Sequence, residues 1–144
     1  LVVERANTAL EEGRAIVESS TSPRATLAAL AEHYVQTMVD NPSLAFVGLF
    51  ERRMVRPESK AALDRAERLY VEEWVHALTQ LRPELSDAEA RVLVHGAVGV
   101  VIGGGTFRSG LEKQGLQRLL TDMMMNAVLT AVPTSKVPRR PRKA

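Results

Sequence analysis

Apolar residues recur every three or four positions along most of the chain, the spacing of one face of an α-helix. Val3, Ala6, Leu10 and Val17 form the first stripe, with Glu4, Arg5, Glu11, Glu12, Arg14 and Glu18 between them. Leu1 already stands inside that stripe, with no capping residue ahead of it. The pattern predicts that residues 1–18 are the end of a helix entering from a longer protein. Ser22-Pro23 then reads as a helix cap followed by proline at the first helical position, where its missing N–H costs nothing. Leu27, Leu30, Ala31, Tyr34, Val35 and Met38 make the next stripe, which stops at Asp40-Asn41-Pro42. Asn41-Pro42 is a second start signal and opens a short helix carrying Leu44, Phe46, Val47, Leu49 and Phe50.

From Pro57 a long pattern runs to Leu81, with Leu63, Ala66, Tyr70, Trp74, Ala77 and Leu78 on one side. Arg82-Pro83 closes it, because a residue before proline is pushed out of the α region. Ser86-Asp87-Ala88-Glu89 matches a capping box, so the Val-rich run from Val92 to Ile102 is expected to be helical although valine favours strands. That run is well short of the roughly 20 residues needed to cross a bilayer. Gly103 to Gly110 is glycine-rich and predicts a loop or frayed helix end. Leu116, Leu119, Leu120, Met123, Met124, Ala127, Val128 and Ala131 form the last stripe, ended by Pro133. The expectation is an all-α chain of six helical segments, residues 1–133, followed by a disordered Pro- and Arg-rich tail, residues 134–144.

Composition changes this picture in two places. The net charge of +2 hides a split. Lys136, Arg139, Arg140, Arg142 and Lys143 all lie in the tail, and removing them from the 19 Lys and Arg leaves 14 basic against 17 acidic side chains, a body at −3. Such a body is not a nucleic-acid surface. The tail reads as a solvated terminus, with nonspecific phosphate contact as the alternative. The chain has no cysteine, which excludes disulfides and thiolate metal sites and makes a reducing cytoplasm the default. It has no signal-peptide pattern.

Candidate chemistry is sparse. Gly103-Gly104-Gly105 follows an apolar run, but Arg108 stands where a dinucleotide turn needs its third glycine. Gly96, Gly99 and Gly103 are better explained as one helix face that another helix can approach closely. Glu73 and His76 form a single Glu-x-x-His pair, whereas a di-iron bundle needs two pairs and two further carboxylates. No nucleophile motif is present, so neither catalysis nor a cofactor or metal is expected. His95 is the only polar side chain between Val92 and Ile102. Phe46, Phe50, Tyr70 and Trp74 concentrate aromatic surface in a chain that is 4% aromatic. Plain core, or the wall of an apolar cavity with a few polar handles, would both account for them.

The order of these features resembles the C-terminal regulatory domain of tetracycline-repressor-type (TetR family) transcription regulators. The resemblance rests on Pro23 to Tyr34-Val35, on Asp40-Asn41-Pro42 leading to Phe46 and Phe50, and on Glu72-Glu73-Trp74. It rests most on Trp74 to Arg91, with Leu81-Arg82-Pro83-Glu84-Leu85-Ser86-Asp87-Ala88-Glu89-Ala90-Arg91 before a Val/Gly-rich helix. It covers about residues 1–132.

The resemblance implies a ligand-responsive regulator, typically a repressor, whose N-terminal helix-turn-helix domain lies upstream of residue 1. Operator DNA would be bound only through that missing domain. The last two long helices, Ala88–Phe107 and Leu116–Ala131, would form a four-helix bundle with a second copy, using Gly96, Gly99, Gly103, Leu119, Met123 and Ala127. A small, apolar effector would be lined by Tyr34, Met38, Phe50, Trp74, Leu78 and His95. A helical dimerisation module with a filled core and no pocket is the alternative.

Overall fold

The computed structural model describes residues 2–43 and 55–134. Within them the chain forms five α-helices and no strand: α1 Val2–Ser19, α2 Pro23–Asp40, α3 Pro57–Leu81, α4 Asp87–Thr106 and α5 Lys113–Thr130. The short helix expected at Leu44–Phe50 and the basic tail beyond Thr134 lie outside the described residues. No described helix is long and apolar enough to cross a membrane.

Most helix ends fall where local chemistry puts them. Ser22 caps α2 by accepting from the backbone N–H of Ala25 at 3.1 Å, with Pro23 in the first turn. Asn41 closes the same helix, its N–H returning to the Thr37 carbonyl. The capping box of α4 is complete: Ser86 accepts from the Glu89 N–H at 3.1 Å, and the Glu89 carboxylate accepts from the Ser86 N–H at 2.8 Å. One boundary differs from the pattern. The glycine-rich loop expected from Gly103 begins only at Phe107, and α4 continues through all three glycines to Thr106. Packing is the reason. A Cβ on Gly104 would lie 2.6 Å from Leu120 Cδ2, so at this position glycine lets α5 seat against α4.

α4 and α5 pack on each other, α3 lies on α1, α2 and α4, and α2 also meets α5. One cluster of buried side chains runs through α2–α5, with Trp74, Leu27, Leu30, Leu78, Leu120 and Met124 its largest members. Leu10, Leu63 and Ala66 are buried separately where α1 crosses α3.

Polar contacts fix the assembly. Arg91 on α4 grips Glu72 on α3 with both ends of its guanidinium, at 2.8 and 3.0 Å, and also binds Asp87 at 2.7 Å. Arg82, in the turn after α3, is almost wholly buried and donates to the carbonyls of Val128 at 2.8 Å and Ala131 at 2.5 Å. It thus supplies donors to carbonyls that the end of α5 cannot pair internally, where a cation also suits the helix dipole. Glu84 holds the same guanidinium at 2.9 Å.

Candidate functional site

Two features could carry function, one inside the bundle and one outside. The inner one is a ladder of rings. Tyr34 comes from α2, and Tyr70 and Trp74 come from successive turns of α3. Tyr34 and Tyr70 have centroids 6.5 Å apart and planes tilted by 31°. Tyr70 and Trp74 are also 6.5 Å apart, but edge to face at 70°. Gly13 of α1 closes the ladder from above: a Cβ there would meet Tyr70 Cε2 at 2.9 Å and Cδ2 at 3.1 Å. Beside it, His33 Nε2 donates to Glu12 at 2.7 Å, tying α2 to α1, and Arg14 pairs with Glu73 at 3.6 Å.

The electrostatics of the ladder follow from burial. Desolvation, then the neighbouring Tyr70 and Glu67, pushes the Tyr34 phenol well above its ordinary range. Desolvation pushes Tyr70 up to about 12, with the nearby Trp74 N–H pulling the other way and Glu12 adding to the rise. Both phenols are therefore neutral donors at physiological pH. His33 Nδ1 is buried without a partner, and the buried Trp74 Nε1 and Tyr70 Oη have none besides each other.

The expected pocket residues separate on this fold. Tyr34 and Met38 are half-buried against the core, and Trp74 and Leu78 are entirely buried within it. Phe50 lies outside the described residues. His95 is not with them. It is exposed, because Val94, Ala97 and Val101 take the inward positions of α4. A groove of about 580 Å³ does exist, but between α1 and α3, with Leu10, Ala66 and Leu69 along it and Arg14, Arg65 and Glu11 also lining it. Tyr70 completes the ladder and was not among the expected pocket residues. Its place one turn before Trp74 was the available signal.

The outer feature is the face shared by α4 and α5. Val92, Gly96, Gly99 and Gly103 succeed each other at four-, three- and four-residue spacing on α4, and all are exposed. Nothing stands within 4 Å of a Cβ built on any of these three glycines. On α5, Leu119 and Met123 are 49% and 44% exposed, while Ala127 is partly buried against the core. His95 belongs to this face. Phe107 and Leu111, in the connection between the helices, are exposed as well. Among the described residues no three His, Asp or Glu side chains gather as a metal site.

No protein-family model matches this chain, and a search of curated proteins returns no relative.

Proposed function

We propose that this chain is the effector-binding and dimerisation part of a ligand-responsive transcriptional regulator of the tetracycline-repressor type, working in the cytoplasm, with its DNA-binding domain upstream of residue 1. The observation that carries the reading is the unpartnered apolar face of α4 and α5. Val92, Leu119 and Met123 are side chains a core would bury, and they are exposed along two adjacent helices. The glycines between them leave open space rather than a packed neighbour. Glycine in a helix interior costs up to about 1 kcal/mol relative to alanine, so three at heptad-like spacing call for a close approach by something else. A second copy of the same face is the natural occupant, since a two-fold axis would set small residues against small residues. Such a bundle should bury well over about 1,000 Å².

The mechanism in this reading is a shift between two states. An effector held inside the bundle favours one arrangement of α1, and α1 carries the change to the DNA-binding domain. Coupling of this kind is worth about 1–3 kcal/mol, or roughly 5–150-fold in operator affinity. The ladder of Tyr34, Tyr70 and Trp74, which puts polar ring edges inside the bundle, supports an interior effector. The second reading, a dimerisation module without a pocket, is favoured by the full burial of Trp74, Leu78, Leu27 and Leu30 and by the groove lying elsewhere.

Sedimentation equilibrium tests the common premise. The expected particle has twice the chain's 15.8 kDa mass, and Met123→Glu returns it to the monomer. A chain that stays monomeric at high concentration overturns both readings. Release of operator DNA by an effector from the protein with its upstream domain separates the first reading from the second.

A further inference from the structure

We infer that the groove between α1 and α3 binds a small zwitterion of the α-amino acid type, with its ammonium group at Glu11, its carboxylate at Arg65 and its apolar side chain along the floor. The inference goes beyond the regulator reading and does not depend on it, because it uses neither the α4 and α5 face nor the interior of the bundle.

The groove owes its volume to small residues. Leu10 of α1 is buried against α3, but α3 answers with Ala62 and Ala66, where larger side chains would close the space. The opening measures about 580 Å³, within the range of sites that take small organic molecules. Leu69 continues the apolar lining beyond the alanines.

The four polar side chains that line it among the described residues are not equivalent. Asn7 is neutral, and Arg14 is held by Glu73 at 3.6 Å. Glu11 and Arg65 have no ion-pair or hydrogen-bond partner among the described residues. Local sequence explains the free guanidinium. The residues three and four positions from Arg65 are Ala61, Ala62, Arg68 and Leu69, so no acid shares its face of α3. Glu11 stands on the opposite wall. α1 and α3 run in the same sense, with Gly13 resting on Tyr70, so Arg65 lies about one turn from the level of Glu11 along the axis. The groove thus presents one carboxylate and one guanidinium, each unpaired, on its two walls, with an apolar floor between them.

Such an arrangement selects by charge. A lone carboxylate drawn to Arg65 is opposed by Glu11, and a lone amine drawn to Glu11 is opposed by Arg65. A guest with both charges a few bonds apart gains a charge-assisted hydrogen bond at each wall. Exposed pairs are individually weak, so the apolar body of the guest must contribute as well, by lying along Ala62 and Leu69.

Calorimetric titration of the whole chain with leucine, 4-methylpentanoate and 3-methylbutylamine tests the inference. The second and third compounds keep the apolar body and one charge each. Leucine should bind saturably, with a Kd of about 1 mM, and at least about fivefold more tightly than either of the others. Arg65→Gln and Glu11→Gln, both at exposed positions, should each lose about fivefold for leucine, and Glu11→Gln should tighten the binding of 4-methylpentanoate. Ala62→Leu leaves both charges in place, fills the groove and should abolish leucine binding. Circular dichroism checks the fold of all three variants. No saturable response to leucine overturns the inference, and so does equal binding of the three compounds. Undiminished leucine affinity in Arg65→Gln or in Ala62→Leu overturns it too. Should a variant fail to fold, the three compounds on the unaltered chain decide the matter. A dimeric chain indifferent to leucine defeats this inference and leaves the regulator reading standing, whereas a monomeric chain that prefers leucine does the reverse.

Discussion

Gly13 and Tyr70 illustrate how a single residue can settle where a helix lies. Alanine in place of Gly13 would gain helix propensity, up to about 1 kcal/mol, on an otherwise ordinary amphipathic helix. The tertiary cost runs the other way. The new Cβ would lie 2.9 Å from a ring boxed in by Tyr34 and Trp74. Overpacking of this kind typically costs about 1–3 kcal/mol. Gly13→Ala should therefore lower stability by about 1–2 kcal/mol net in urea unfolding. Equal or greater stability would mean that the ring has somewhere to go. The sequence places Gly13 in a helix but says nothing of the ring above it, because that contact joins residues 57 positions apart. Separation in sequence, 46 and 49 positions, likewise hid the role of Arg82. Before a proline it looks like a helix stop. Only the approach of α5 makes its guanidinium the partner of the Val128 and Ala131 carbonyls.

At the scale of elements, the start of α4 does more than cap one helix. Glu89 completes the capping box and also accepts from the backbone N–H and the hydroxyl of Thr134, each at 2.7 Å. The chain beyond α5 is thereby fastened to the first turn of α4. Those hydrogen bonds, the Thr134 hydroxyl first and then the backbone N–H groups of Ser86 and Thr134, lower the Glu89 carboxyl from 4.5 to about 2. A carboxyl depressed in the folded state stabilises it fully above its unfolded value and loses that contribution as pH falls through the folded one. Stability measured by denaturant should therefore decline between about pH 4.5 and pH 2, and Glu89→Gln should flatten that limb. An unchanged acid limb in the variant would show that the contact does not survive in solution. The capping box itself was legible from Ser86 and Glu89, four residues of local sequence. The tie to Thr134 was not.

For the whole molecule, the glycines of α4 set stability against association. Gly99 has open space around its missing Cβ, so Gly99→Ala should raise the stability of an isolated subunit by up to about 1 kcal/mol. If a second copy packs there, the same methyl group stands in the interface and the dimer weakens. Unfolding at low concentration and sedimentation at high concentration read the two effects separately. A variant that gains on both counts would remove the close-contact role of this face. The helical segments within the described residues, the caps at Ser22 and Ser86 and most of the inward residues followed from the sequence alone. They depend on spacing, caps and breakers within a few positions, which any chain in water reads locally. Tertiary structure decided what needed a neighbour. It ran α4 through Gly103–Gly105 to receive Leu120, turned His95 outward by giving the core to Val94, Ala97 and Val101, and set Tyr70 edge to face on Trp74 against Gly13 of α1. Periodicity fixes that a helix has an apolar side. Which side meets which partner is fixed only when other helices, distant in sequence, compete for it.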